Sequence, residues 1–376
     1  VAHSFPTRRS SDLYISEYRS YLTSLGYPLV EGNIENLTAN DLEKKTKNGH
    51  VLCGTSEVKL EHYLETWQTG RFLEQLEGCP EDRPFFAVCS YNAPHFPMIV
   101  PEPYDRLIDP DDVILPPNFR TGLDGKPAEL ISSRYYQHSK DLDEREWRSL
   151  IAHYWGFCSL VDEQVGTIVD WLKANGKYEE TIIVYLSDHG DMMGSHSLNL
   201  KGFEMHYEET NRVPLVLVHP DMKRGQVKNM FVSLVDLMPT LAELCGVDAD
   251  QGADGKSFAQ ALPAGAADHF REYVIAESFR KDRDAARPYE NPEEYTPDAW
   301  RAMNISVCTD RDKYIFHGED SDEYYDLADD PYENHNLLPA DTDHERIELL
   351  RRTILGELEA SGTKLTEIVR AKMANT

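Results

Sequence analysis

Two short runs bring groups capable of metal or acid–base chemistry to the ends of apolar segments. Thr181-Ile-Ile-Val-Tyr-Leu186 leads into Ser187-Asp188-His189-Gly190-Asp191, and Pro84-Phe-Phe-Ala-Val-Cys-Ser-Tyr91 leads into Asn92-Ala93-Pro94-His95-Phe96-Pro97. In an open α/β sheet, ligands bind beyond the carboxyl ends of strands, where loops place polar groups without disturbing the core. Asp188 and His189 supply a carboxylate oxygen and an imidazole nitrogen side by side, a donor pair suited to a divalent cation. Alone, the same pair also reads as a helix cap beside a hydrogen-bonded histidine. The prolines around His95 imply a stiff, extended mount, which suits a proton donor or an oxyanion contact; a turn histidine without chemistry is the other reading. Twelve residues after His189, Lys201-Gly202 follows Leu198 and Leu200 and precedes Glu204, Glu208 and Glu209. By itself it reads as a surface lysine.

The elements that position these groups follow from apolar patterning. Residues 14–76 carry mostly helical spacing, with Val58, Leu60, Tyr63, Leu64, Trp67, Phe72 and Leu73 three or four apart. The runs at 84–91, 181–186 and 213–218 are short and continuously apolar, as expected of strands buried on both faces. The Pro-rich stretch 94–117 between the first two is expected to be irregular, because proline fits neither a helix interior nor a central strand. A long helix follows, with Val161, Val165, Ile168 and Leu172 on one face and Asn175-Gly176 as its stop. Helices alternating with such strands imply an α/β fold with a mostly parallel central sheet flanked by helices. Beyond Leu262 the alternation ends. Runs at 273–278, 304–309 and 313–317, the last two separated by Asp310-Arg311-Asp312, predict a small C-terminal antiparallel α+β subdomain, closed by a helix over 343–372.

The chain has 376 residues, 40% of them apolar, and 38 basic against 66 acidic side chains, for a net charge of −28. That length suggests two lobes with a substantial core. The negative charge argues against a nucleic-acid partner, but it does not exclude a small anionic substrate, because screening leaves local cations dominant within a pocket. No apolar run approaches the roughly 18 residues of a membrane span, so a soluble chain is expected. Six scattered cysteines without a CxxC are expected to be free, mostly buried thiols. Compartment and oligomeric state are not legible.

Several segments, in one order, resemble the sulfatase family of the alkaline-phosphatase-like superfamily. They are Ala-Pro-His95-Phe-Pro, Ser-Asp188-His189-Gly-Asp-Met-Met-Gly-Ser-His196, Lys201-Gly, Arg212-Val-Pro-Leu-Val-Leu-Val-His-Pro, Val235-Asp-Leu-Met-Pro-Thr-Leu, and Tyr325-Asp-Leu-Ala-Asp-Asp-Pro-Tyr-Glu-Asn-His-Asn-Leu. The resemblance implies that Asp188 and His189 are metal ligands, usually for calcium, sometimes magnesium or manganese. It implies that His95 and Lys201 contact the sulfate oxygens and the leaving oxygen of a small sulfated substrate. His196 falls on a family glycine-x-histidine whose role varies. Preplaced cations of this kind suit a sulfuryl group, which spreads negative charge over its oxygens in transit.

The resemblance also implies a nucleophile, a formylglycine made from the first residue of Cys-x-Pro-x-Arg or Ser-x-Pro-x-Arg. None of the six cysteines has Pro two and Arg four residues later; Ser4-Phe-Pro6-Thr-Arg8 fits the serine form. That match reads as a decoy, since three residues cannot supply the preceding strand and residues 1–13 look foreign to the rest of the chain. The expected organisation is therefore a foreign segment over 1–13, a sulfatase α/β domain over 14–268 lacking its N-terminal part and formylglycine, and a C-terminal subdomain over 269–376. A sulfatase inactive by itself is the expected function. A phosphonate monoester or phosphodiester hydrolase of the same superfamily, or a non-catalytic relative, are the alternatives. The charged, aromatic stretch 279–300 reads as a solvated insertion or a substrate rim.

Overall fold

A computed structural model describes residues 9–27, 45–47, 50–248, 252–279, 303–318, 320–338, 344–363 and 365–374. Ser4, and nearly all of the stretch 279–300, lie outside the described residues. The helices are α1 (Arg9–Ser24), α2 (Leu64–Glu77), α3 (Ala128–Ser132), α4 (Arg134–Ser139), α5 (Glu144–Ala174), α6 (Glu208–Asn211), α7 (Leu237–Leu244), α8 (His344–Ala360) and α9 (Thr366–Met373). The strands are β1 (Lys45–Lys47), β2 (His50–Thr55), β3 (Met98–Val100), β4 (Ile183–Leu186), β5 (Leu215–Val218), β6 (Tyr273–Phe279), β7 (Met303–Thr309), β8 (Asp312–His317) and β9 (Glu323–Asp326). They fall into two compact units: Val1–Leu115 with Asp141–Thr181, and Pro116–Lys140 with Ile182–Thr376.

In the first unit β2 runs parallel to β3, pairing Cys53 with Met98 and Thr55 with Val100, and β1 adds an antiparallel edge. Helix α5 begins with a reciprocal cap, in which Asp143 accepts from the Glu146 amide and Glu146 from the Asp143 amide, both at 2.8 Å. It ends as its sequence predicts, at Asn175, with Gly176 left-handed at φ +67°. At Gly156 it comes so close that a Cβ would lie 2.2 Å from the Tyr104 carbonyl oxygen, so only glycine fits there.

Several expectations need correction in this unit. Residues 84–91 form no strand: the run has no ladder partner among the described residues and leaves Phe86 and Val88 exposed. The strand appears instead at Met98–Val100, inside the Pro-rich stretch, where prolines bracket three fully paired residues. The helical reading of residues 14–76 is interrupted by β2, whose residues 51–53 are apolar and short enough to satisfy either period.

In the second unit β4 and β5 form a two-stranded antiparallel pair, with Ile183 opposite Val218 and Leu186 opposite Leu215. Their connection holds only the single turn of α6 and no crossover helix, so the chain returns antiparallel. The burial expected on both faces is also absent, with Tyr185 and Val216 exposed. Strands β6 to β9 form an antiparallel sheet in sequential order, and β7 and β8 meet at a turn over Asp310-Arg311. Alternation along this sheet decides what it holds. Tyr314, Phe316 and Tyr324 pack on one side against Ile347, Ile354 and Val369 of α8 and α9. Ile315 and Tyr325 pack on the other with Met192, Leu198, Met205 and Tyr207. The helix expected over 343–372 is broken at Ser361-Gly362, where Gly362 turns left-handed at φ +68° and ends α8. The α/β architecture and its C-terminal antiparallel part are those expected. All six cysteines are free, but only Cys53 and Cys308 are buried; Cys158 sits on the solvent side of α5 and Cys245 at the end of α7.

Candidate active site

Strand β4 delivers its last residue, Leu186, directly into the Ser187–Gly190 turn. The Ser187 hydroxyl donates to the His189 carbonyl at 2.8 Å, and the His189 amide donates to Asp188 Oδ1 at 2.9 Å. His189 Nδ1 lies 2.9 Å from the Gly190 carbonyl oxygen, which can only accept, so Nδ1 carries a proton. That leaves Nε2 to face the Asp188 carboxylate, 3.6 Å from Oδ2. Two lone pairs so placed repel unless a proton or a cation lies between them. The side chains are 83% and 42% exposed, so the pair is open to a ligand. No helix begins here, which removes the reading of Asp188 as a helix cap.

Asp191 ties this turn to the loop that carries Lys201. Its Oδ1 accepts from the Met193 amide at 3.1 Å and the Leu200 amide at 3.0 Å, while the Met192 amide donates to the Leu200 carbonyl at 2.9 Å. The loop thus closes on itself, bringing residue 201 back to residue 191. Burial pushes the Asp191 carboxyl up to about 6, against the pull of the two amides, the Lys201 ammonium and His189. His189 and Lys201 are thus both close enough to act on the Asp191 carboxyl, and Asp188 lies beside His189. The sequence shows Asp191 only as the last letter of Ser-Asp-His-Gly-Asp, and nothing in its spacing marks it as the hub. The loop holds Met193, His196, Ser197 and Leu200 at positive φ, between 35° and 65°. Such backbone persists only where surrounding contacts overdetermine it.

His196 supplies one such contact. It is fully buried, and its Nε2 accepts from Asn118 Nδ2 at 3.2 Å. Thr121 Oγ1, whose proton goes to the Asn118 carbonyl, lies 3.3 Å from Nδ1. Burial, with the nearby Lys126 charge, pushes the imidazole down to about 3. Burial thus favours the neutral imidazole, held inside the loop by Asn118 and Thr121. Asn118 was not marked by its sequence context; its amide also reaches Glu209 and the Tyr332 carbonyl.

His95 belongs to the other unit. Its mount is a turn rather than an extended segment: the His95 amide donates to the Asn92 carbonyl at 3.0 Å, and both flanking X-Pro bonds are cis. The exposed imidazole Nδ1 lies 2.7 Å from the Phe96 carbonyl. Beside it is a cavity of about 30 Å³, also lined by Asn92 and the buried Glu65, whose Oε1 accepts the Ala93 amide.

The donor set of Asp188 and His189 suits a divalent cation, since the proton on Nδ1 leaves Nε2 as a neutral donor beside a carboxylate. Among the described residues no three or more such side chains converge, so the pair fits as two ligands and not as a closed cage.

A phosphonate monoester hydrolase from Agrobacterium radiobacter has the same fold. The two superpose with a TM-score of 0.76 at 24% identity, over 93% of this chain and 70% of that one. The fold is thus alkaline-phosphatase-like. A sulfatase family model matches residues 21–247, and the C-terminal model of N-sulphoglucosamine sulphohydrolase matches residues 194–360. The chain belongs to the sulfatase family. An arylsulfatase from Clostridium perfringens is 28% identical over 300 residues, 78% of this chain and 57% of that protein. The multifunctional alkaline phosphatase superfamily protein PehA of Trinickia caryophylli is 27% identical over 75% of this chain and 57% of its own length. The chain thus spans a little over half the length of these curated relatives. No described helix is long and apolar enough to cross a membrane.

Proposed function

We propose that the chain serves the hydrolysis of sulfuric esters, with Asp188 and His189 as ligands to a divalent metal, calcium in the first instance. The observation that supports this reading is the Asp188–His189 pair at the carboxyl end of β4, with Asp191 tying their turn to the loop that carries Lys201. Bound there, the cation would polarise a sulfuryl oxygen as a Lewis acid. The Lys201 ammonium contributes a preplaced positive charge for the sulfuryl oxygens. His95 is retained, on its motif, as a second donor to the transferred group or its leaving oxygen. The nucleophile proposed is a formylglycine; no cysteine of this chain has the required Pro and Arg after it. Turnover of an aryl sulfate by these 376 residues alone is therefore not expected, and the site is tested by binding.

Inorganic sulfate titrated calorimetrically in the presence of a divalent cation should bind, and Lys201→Ala should weaken it by about 10- to 100-fold. That is the size of one charge-assisted hydrogen bond, about 1.5–3 kcal/mol. Equal sulfate affinity in the variant and the parent would remove Lys201 from the site. A phosphonate or phosphodiester substrate is the second reading, favoured by the fold shared with a phosphonate monoester hydrolase. Methylphosphonate displacing sulfate at lower concentration than sulfate displaces it would select that reading.

A further inference from the structure

We infer that Glu333, far along the chain from β4, is a positioning residue that holds the Asp188–His189 turn in its ligand-presenting geometry through Lys313 and α6. The inference rests on reading Asp188 and His189 as metal ligands.

Glu333 sits left-handed at φ +53° in the turn that follows β9. That turn is built on Asp330, whose carboxylate accepts from the His335 amide at 2.8 Å and from Asn334 Nδ2 at 3.0 Å. The Glu333 side chain is buried and points at the first residue of α6. Its Oε2 accepts the Glu208 amide at 2.8 Å, and its Oε1 lies 2.7 Å from Lys313 Nζ. Lys313 Nζ, equally buried, reaches Glu208 Oε1 at 2.7 Å. Glu208 is therefore gripped at both its backbone and its side chain.

The grip is passed to the site through backbone atoms. At the other end of α6, the Thr210 carbonyl accepts the Gly190 amide at 2.9 Å. The approach is so close that a Cβ at position 190 would lie 1.9 Å from the Glu209 carbonyl oxygen, which leaves room for glycine alone. The Gly190 carbonyl then accepts the His189 Nδ1 proton and so presents Nε2 beside Asp188. Groups that orient a ligating histidine in this way act on metal affinity almost as the ligands do. Apolar residues at 313 and 333 would fill the same volume without the desolvation cost of two buried charges. What the charges add is a fixed position for Glu208.

The test uses the whole chain with Mn²⁺ alone as the probe, bound metal being read from the electron paramagnetic resonance signal of free Mn²⁺. Glu333→Gln keeps an acceptor for the Glu208 amide but removes the ion pair. It should raise the Mn²⁺ Kd about tenfold, at the lower end of what orienting partners contribute, and speed hydrogen exchange at the Gly190 amide. Adding Lys313→Met removes the buried ammonium that has lost Glu333 and should recover the thermal midpoint without recovering affinity or Gly190 protection; this double variant also carries the test if the single one fails to fold. Unchanged affinity and exchange, or affinity returning together with stability, would overturn the inference. If the parent protein shows no Mn²⁺ binding that depends on Asp188, the metal reading fails instead, and Gly190 exchange alone then decides whether Glu333 holds the turn.

Discussion

Asp236→Ala should lower the stability of the unit built from residues 116–140 and 182–376 by about 3–5 kcal/mol, the usual result of removing one partner from a buried ion pair. Asp236 is fully buried. Its Oδ2 accepts from the Ser233 amide and from Arg271 Nε, each at 2.8 Å, and its Oδ1 accepts from the Lys256 amide at 2.8 Å and from Arg271 Nη2. It closes a reciprocal cap with Ser233 ahead of α7, and its own carbonyl accepts from the Thr240 hydroxyl. Alanine would leave a mostly buried guanidinium and two amide donors without their acceptor. Urea unfolding followed by circular dichroism measures the loss. A change below about 1 kcal/mol would mean that Arg271 finds water or another carboxylate, and that the carboxylate does not organise this segment.

The second large effect is a dependence on pH. His206 is buried, with Nδ1 2.9 Å from Ser306 Oγ and Nε2 2.8 Å from Ser278 Oγ. Burial first, then the His317 and Lys313 charges, push it down to about 3, as burial and Lys126 do for His196. Both imidazoles protonate near pH 6.5 in the unfolded chain. The unfolded state therefore binds more protons between pH 6.5 and 3, and stability is lost as pH falls through that window. Each histidine contributes about 1.4 kcal/mol per pH unit, or about 5 kcal/mol for the two between pH 6.5 and 4.5. Asp191, pushed up to about 6, works the other way below that pH, because its folded carboxyl takes up a proton first. Comparison with His206→Gln combined with His196→Asn isolates the histidines, since Asp191 is common to both proteins. Asparagine is chosen at 196 because it tolerates the left-handed backbone there. The difference in unfolding free energy between parent and variant should narrow by about 5 kcal/mol from pH 6.5 to 4.5. A difference constant with pH would show that the imidazoles are not held neutral.

What could be read without coordinates followed from local rules. The stop of α5 was legible because Asn175-Gly176 is a local backbone signal. The hairpin between β7 and β8 was legible because a short turn separates two β-rich runs. The 84–91 run shows the limit: apolar content indicates an extended segment, but whether a ladder partner lies beside it is a tertiary fact. The run at 183–186 likewise said nothing of which way its neighbour would point. In the site, Asp188, His189 and Lys201 stood out by residue type and order; the first two pair side by side, and Asp191 ties their turn to the loop of the third. Asp191, Asn118 and Glu333 did not stand out, because each acts through backbone amides or buried charges that only folding brings within reach. His196 stood out, but nothing in its spacing reveals the cage formed by Asn118 and Thr121.

The most direct measurement is the effect of Mn²⁺ on the ¹⁵N-resolved spectrum of the intact chain. Binding in the weak range of about 10⁻⁴ to 10⁻³ M is expected of so few charged ligands. Paramagnetic broadening should fall on the His189 ring and on the amides of residues 188–191, and it should disappear in Asp188→Ala. Broadening centred elsewhere, or persisting at His189 once the carboxylate is gone, would show that this turn is not where the metal binds.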